Sequence, residues 1–149
     1  MEIILAENHG FCYGVKRAVE MANEAANSDG KSYTLGPIIH NPQVVGRLED
    51  KGVSPVQEVS DIEEGTMIIR SHGVGPAIYE EAEEKGLHIV DATCPYVKKA
   101  QQDAKSVIED GMTLVILGEK NHPEVKSINL WANNEGIIIE DEESAKKLQ

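Results

Sequence analysis

A mainly parallel α/β fold, with small sheets flanked by helices, is what this sequence predicts, on three observations. Short apolar runs alternate along the chain with stretches whose apolar residues recur at helical spacing. The junctions between them carry glycine, proline or helix-capping residues. Aromatic residues make up only 4% of the 149, so the core must be built from Val, Ile, Leu and Ala.

Residues 3–6 form an apolar run that reads as a first strand, and the corner Gly10-Phe11-Cys12-Tyr13-Gly14 follows. Val15, Ala18, Val19, Ala22 and Ala26 then recur at helical spacing, and Gly30 closes that helix. Residues 32–35 are a second strand, broken by Gly36-Pro37. Asn41 before Pro42 signals a helix start, because the Asn side chain accepts a free N–H and Pro suits the first helical position. This helix turns Val44, Val45 and Leu48 inward and stops at Gly52, after which residues 53–56 are a short extended piece.

Residues 61–65 make a turn, and 67–69 a buried strand ending in Arg70-Ser71-His72-Gly73-Val74-Gly75-Pro76. A helix over about 76–85 carries Glu80, Glu81, Glu83 and Glu84 on a solvated outer face. Residues 88–90 form a strand leading into Asp91-Ala92-Thr93-Cys94-Pro95-Tyr96, and a helix runs from 95 to about 110. Residues 112–117 give a strong buried-strand signal that ends at Gly118-Glu119-Lys120-Asn121-His122-Pro123-Glu124-Val125. A helical turn with Trp131 near its end, a strand at 137–139 and a helix over 141–148 complete the pattern. The sequence stops inside that helix, so the expectation is of part of a longer protein.

Twenty-six acidic against 14 basic residues leave a net charge of -12. That balance argues against a nucleic-acid partner, and it means that an anionic substrate needs a locally positive pocket. No apolar run approaches the roughly 20 residues of a spanning helix. The acidic opening Met1-Glu2-Ile3-Ile4 is unlike a signal peptide. Together these predict a cytoplasmic protein with no membrane partner.

In open α/β sheets, ligands bind beyond the carboxyl ends of the strands. Cys12, Cys94, His9, His40, His72 and His122 all fall in loops that follow a predicted strand and precede a helix; only His88 lies before a strand. The two cysteines are far apart in sequence, so no paired zinc motif exists. A disulfide, a thiol–disulfide redox pair, two ligands of an iron–sulfur cluster and two inert thiols all remain open. Each cysteine stands at a helix start, where the dipole favours negatively charged sulfur.

Singly, the histidines have ordinary readings: His40 as a turn residue, His72 bonded within its own loop, His122 on the surface. Jointly, on one rim, they suit an anion, since imidazolium donates two hydrogen bonds and carries charge. In that reading the module binds anions, with or without catalysis. Glu124, two residues after His122, is either a proton relay or a first-turn glutamate favoured by the helix dipole.

Gly10-Phe11-Cys12-Tyr13-Gly14-Val15, Ile39-His40-Asn41, Ser71-His72-Gly73-Val74, Asp91-Ala92-Thr93-Cys94-Pro95 and His122-Pro123-Glu124-Val125 occur together, in order. In this the chain resembles, from its first strand to its end, the 4-hydroxy-3-methylbut-2-enyl diphosphate reductase (LytB) family. The resemblance implies three α/β domains around a central [4Fe-4S] cluster, with pseudo-threefold symmetry. On this chain that means a first domain over 1–93, whose opening strand belongs to it or to a neighbouring sheet, an incomplete second domain over 94–149, and an absent third. Cys12 and Cys94 match two of three cluster ligands, the third lying beyond residue 149. His40, His72 and His122 match the histidines around the substrate diphosphate, and Glu124 the substrate-contacting carboxylate that supplies protons. The implied reaction removes an allylic hydroxyl with two electrons and two protons, giving isopentenyl and dimethylallyl diphosphate in the last step of the non-mevalonate pathway. Reduced ferredoxin or flavodoxin is the implied electron donor. With one ligand missing, the chain alone is expected to hold a cluster poorly and to be inactive.

Overall fold

The computed structural model describes residues 2–7, 9–28 and 30–148. Four parallel strands form the larger sheet: β1 (Ser32–Leu35), β2 (Val53–Val56), β3 (Thr66–Ile69) and β4 (His88–Asp91), in the order β2-β1-β3-β4. Leu35 is level with Val56, Thr34 with Ile68, and Ile69 with Asp91. The carboxyl ends of all four strands therefore emerge at one edge. A second, two-stranded parallel sheet pairs β5 (Val115–Leu117) with β6 (Ile137–Ile139).

Side-chain alternation along β3 sends Ile68 to one face and Met67 with Ile69 to the other. On the Ile68 face lie α1 (Tyr13–Ala26) and α2 (Pro42–Glu49). Ala18, Ala22 and Ala25 line the inner side of α1, and their small side chains let the helix settle close to Ile38, Val44 and Leu48. On the opposite face lie a 3-10 turn (Val59–Asp61) and α3 (Pro76–Glu84), with Val59, Ile62 and Ala82 buried. The remaining helices are α4 (Pro95–Glu109), α5 (Pro123–Trp131) and the single turn α6 (Glu142–Ala145). Helix starts follow the sequence signals: the Asn41 side chain accepts from the Val44 N–H at 3.0 Å, and Pro stands in the first turn of α2, α3, α4 and α5.

Three expectations are corrected. Residues 3–6 form no strand; Ile3, Ile4 and Leu5 are 75%, 83% and 75% exposed. An extended apolar segment becomes a strand only when a neighbour supplies the ladder hydrogen bonds, and none of the six strands does. The strand expected over 112–117 is confined to Val115–Leu117, and only Ile116 of it is buried. With β6 as its one neighbour, β5 leaves Leu117 78% exposed. The last helix is one turn, Glu142–Ala145, held by a capping box in which Asp141 accepts from the Ser144 N–H at 2.7 Å.

Replacing Asn41 by Ala removes the side-chain acceptor at the start of α2. Urea unfolding should show a loss of about 1 kcal/mol.

Candidate functional site

His40 leaves β1, His72 leaves β3 and His122 leaves β5. Folding brings the three rings together, with centroids 4.5 Å apart for His40 and His72, 5.6 Å for His72 and His122, and 6.1 Å for His40 and His122. One ring nitrogen of each lies within 4.8 Å of the others. His40 is exposed, whereas His72 and His122 are half-buried. The level strand ends deliver the first pair, and Ser71 fastens their loops: its N–H and hydroxyl both donate to the Ile38 carbonyl, at 3.3 and 3.2 Å. His122 arrives from the other sheet as the cap of α5, its Nδ1 accepting from the Glu124 N–H at 3.3 Å. In the neutral ring this leaves the proton on Nε2. Glu124 thus stands half-buried in the first turn of α5, beside the ring.

The sequence reading expected three charged imidazoles. The structure corrects it for His72: burial, then the positive charges of His40, Arg70 and His122, lower its pKa to about 4. His72 is therefore neutral near pH 7, because burial, and then the neighbouring cationic groups, oppose charging of its ring. Its Nδ1 is buried without a hydrogen-bond partner. An anion seated among the rings would supply the counter-charge that this arrangement lacks.

A buried hydroxyl joins the His72 loop to α5. Ser127 Oγ lies 2.7 Å from the His72 carbonyl, 2.9 Å from the Glu124 carbonyl and 3.3 Å from Gln101 Nε2, which donates to it. Its one proton serves one carbonyl at a time. Two further bonds pin the same loop, from the Cys94 N–H to the Ser71 carbonyl at 2.9 Å and from Trp131 Nε1 to the Val74 carbonyl at 2.9 Å.

Cys12 and Cys94 are free thiols at the N-caps of α1 and α4. A Cβ on Gly14 would lie 2.5 Å from Cys94 Sγ, so the first turn of α1 rests on Cys94. Arg17 reaches from α1 to the same corner, donating to the Thr93 carbonyl at 3.1 Å and the Asp91 carbonyl at 3.5 Å. Two thiols at adjoining helix starts fit part of the ligand set of an iron–sulfur cluster, which thiolates hold. Asp91 steadies the corner: burial opposes its charge, but bonds from Lys98 and the Thr93 N–H hold its carboxyl below the usual range. Tyr79 donates to Asp91 at 3.1 Å, and burial with that neighbouring charge pushes the phenol up to about 12.

His9 and His88 do not join the rim: His9 bonds the Ala6 carbonyl and His88 begins β4. Sequence reasoning missed Ser127, Gln101 and Arg17. A signal existed for Gln101, a polar residue on the stripe that Val97 and Ala104 bury on α4.

Comparison with known proteins places this geometry in context. The chain matches the LytB protein family over residues 3–149. A 4-hydroxy-3-methylbut-2-enyl diphosphate reductase of Geobacter metallireducens is 51% identical over 148 residues, covering 99% of this chain and 52% of that protein. The reductase of Trichlorobacter lovleyi is 47% identical, with 99% and 53% covered. A solved (E)-4-hydroxy-3-methyl-but-2-enyl diphosphate reductase, described as the terminal enzyme of the non-mevalonate pathway, superposes with a TM-score of 0.82 at 49% identity, over 95% of this chain and 52% of that one. The E-1-hydroxy-2-methyl-but-2-enyl-4-diphosphate reductase of Plasmodium falciparum gives 0.91 at 31% identity, over 96% and 46%. The chain spans about half the length of the curated relatives it matches.

Two measurements check the site's energetics. The folded His72 pKa lies below the unfolded value, so the unfolded chain binds the extra proton between pH 6.5 and about 4. Stability present above pH 6.5 is then lost as pH falls through that window, and urea midpoints for the chain should decline more steeply there than for His72→Asn. Ser127→Ala leaves buried groups unpaired and should cost about 1–3 kcal/mol, with a displaced His72 ring resonance.

Proposed function

The chain belongs to the LytB protein family, and on that premise we propose that it is the part of a 4-hydroxy-3-methylbut-2-enyl diphosphate reductase that carries the diphosphate rim and two cluster cysteines. The observation that carries this reading is the convergence of His40, His72 and His122 from three strand ends. The division into a four-stranded and a two-stranded sheet supports reading 1–93 as one domain and 94–149 as the start of a second.

In this reading Cys12 and Cys94 would supply two of the thiolate ligands of a [4Fe-4S] cluster, the third coming from the rest of a full-length reductase. When bound, the cluster supplies electrons, drawn from reduced ferredoxin or flavodoxin, and Lewis acidity for removing an allylic hydroxyl. The overall change, R–OH with two electrons and two protons giving R–H and water, leaves proton delivery and positioning to side chains. The histidines bind the diphosphate: His40 and His122 face it from opposite loops, and neutral His72 offers a ring nitrogen without a competing partner. Anchoring the diphosphate fixes the allylic end, which converts a free encounter into an oriented one. Glu124, held at the start of α5 beside His122, contacts the substrate and delivers the protons. The reaction belongs to the cytoplasm; among the described residues no helix is long and apolar enough to cross a membrane.

Titrating diphosphate into the chain tests the rim. Saturable binding is expected, weakened about ten-fold by His40→Asn, His72→Asn or His122→Asn; no effect of these variants sinks the assignment. Anaerobic loading with iron and sulfide should give little bound iron, less in Cys12→Ser and Cys94→Ser, and no turnover. Turnover matching a full-length relative would sink the claim that this part is incomplete by itself.

A further inference from the structure

A second recess opens at the same strand ends, beside the histidine rim, with Gly73, Val74 and Gly75 of the 71–75 loop in its lining. Its volume is about 330 Å³. Gly36 after β1, Gln57 after β2 and Arg70 after β3 form one wall, and Asn121 and Lys126 stand on the wall that carries α5. Arg70 and Lys126 are its charged lining groups, and no carboxylate lines it.

In a chain with net charge -12, a half-buried guanidinium in a recess without a carboxylate needs an explanation, and the exposed Lys126 adds a second cation to the lining. Among the described residues, six lysines make ion pairs, and Arg70 and Lys126 are among the basic residues that make none. Arg70 is half-buried and its Nε is buried with no hydrogen-bond partner. A Cβ on Gly36 would lie 2.7 Å from Arg70 Nη1, so a glycine stands where the guanidinium rests. Removing a charge from water without a counter-charge costs free energy, and burial accordingly lowers the Arg70 pKa from its ordinary value. An anion would offset that cost. The start of α3 adds to the attraction: its N-cap, Gly75, lines the recess and has no side chain to satisfy the first-turn N–H groups.

We propose that this recess is a second oxyanion site, separate from the histidine rim, and that it takes a phosphate or the phosphoryl end of a larger ester. Cations from two separate elements, the end of β3 and α5, suit a tetrahedral group, which presents oxygens in several directions, better than a planar carboxylate, which presents two in one plane. The proposal needs nothing from the reductase reading, since none of its residues is a rim histidine, Glu124 or a cysteine.

The test is a titration of the ¹⁵N-labelled chain with inorganic phosphate at constant ionic strength near neutral pH. Gly36, Gln57 and Ile78 amides, which lie off the rim, report the recess. Saturable shifts are expected there, weakened about ten-fold or more by Arg70→Met and to a lesser degree by Lys126→Met. His40→Asn should leave these reporters unchanged. Methyl phosphate binding as phosphate does identifies an ester end as the ligand, and phosphate binding alone identifies the free ion; either supports the site. Shifts confined to His40, Asn41 and His122, acetate binding as well as phosphate, or Arg70→Met binding unchanged would each overturn it. Should Arg70→Met fail to fold, Arg70→Lys and Lys126→Met carry the same comparison, and unchanged affinity in both overturns the proposal.

Discussion

One hydroxyl sits where the two parts of the site meet. Ser127, on α5, lies within hydrogen-bond reach of the carbonyls of His72 and Glu124, so the loop after β3 and the start of α5 share a buried polar centre. Gln101 completes it from α4. Buried polar groups of this kind cost free energy unless they find partners, which makes the arrangement nearly all-or-none. The bonds from Cys94 and Trp131 to the same loop add to this. Thus the loop that carries His72 follows a strand of the larger sheet and is held both by Ser71 to the loop after β1 and by the helices beyond it.

Electrostatics follows from that packing. The chain as a whole is strongly acidic, but the edge where the strands end gathers three imidazoles, a guanidinium and an ammonium. Because it is half-buried and stands near other cationic groups, His72 gives up its charge and keeps a buried nitrogen without a partner. Such a site is not satisfied in itself. The loops that carry these groups are held by bonds to the backbone, from Ser71, Cys94, Ser127 and Trp131.

The cysteine corner shows the same economy. Gly14 lets α1 press on Cys94, Arg17 ties α1 to the backbone of the 91–94 turn, and Asp91 gathers Lys98, Tyr79 and the Thr93 N–H. Two thiols remote along the chain are thereby brought to adjoining helix starts by contacts that involve neither sulfur as a hydrogen-bond partner. Exposed apolar side chains flank this corner, at Phe11, Tyr13 and Tyr96, and lie also at residues 3–5 and on β5.

Local chemistry determined much from the sequence alone. Pro42, Pro76, Pro95 and Pro123 marked the helix starts, Asn41 its cap, and alternating apolar runs the parallel sheet, because these signals act within a few residues. The site residues were legible as motifs in strand-end loops for the same reason. Tertiary structure alone decided the rest. Residues 3–6 have the composition of a strand, but pairing requires a partner that no local pattern supplies. Leu117 has the residue type of a core and lies exposed, because burial depends on what covers a sheet. The neutrality of His72 depends on its burial and then on cationic neighbours, among them rings that sequence cannot place at 4.5 and 5.6 Å, and the partnership of Gln101 with Ser127 depends on α4 packing against α5. Charge, pairing and burial are set by distance in space, and distance along the chain does not fix it.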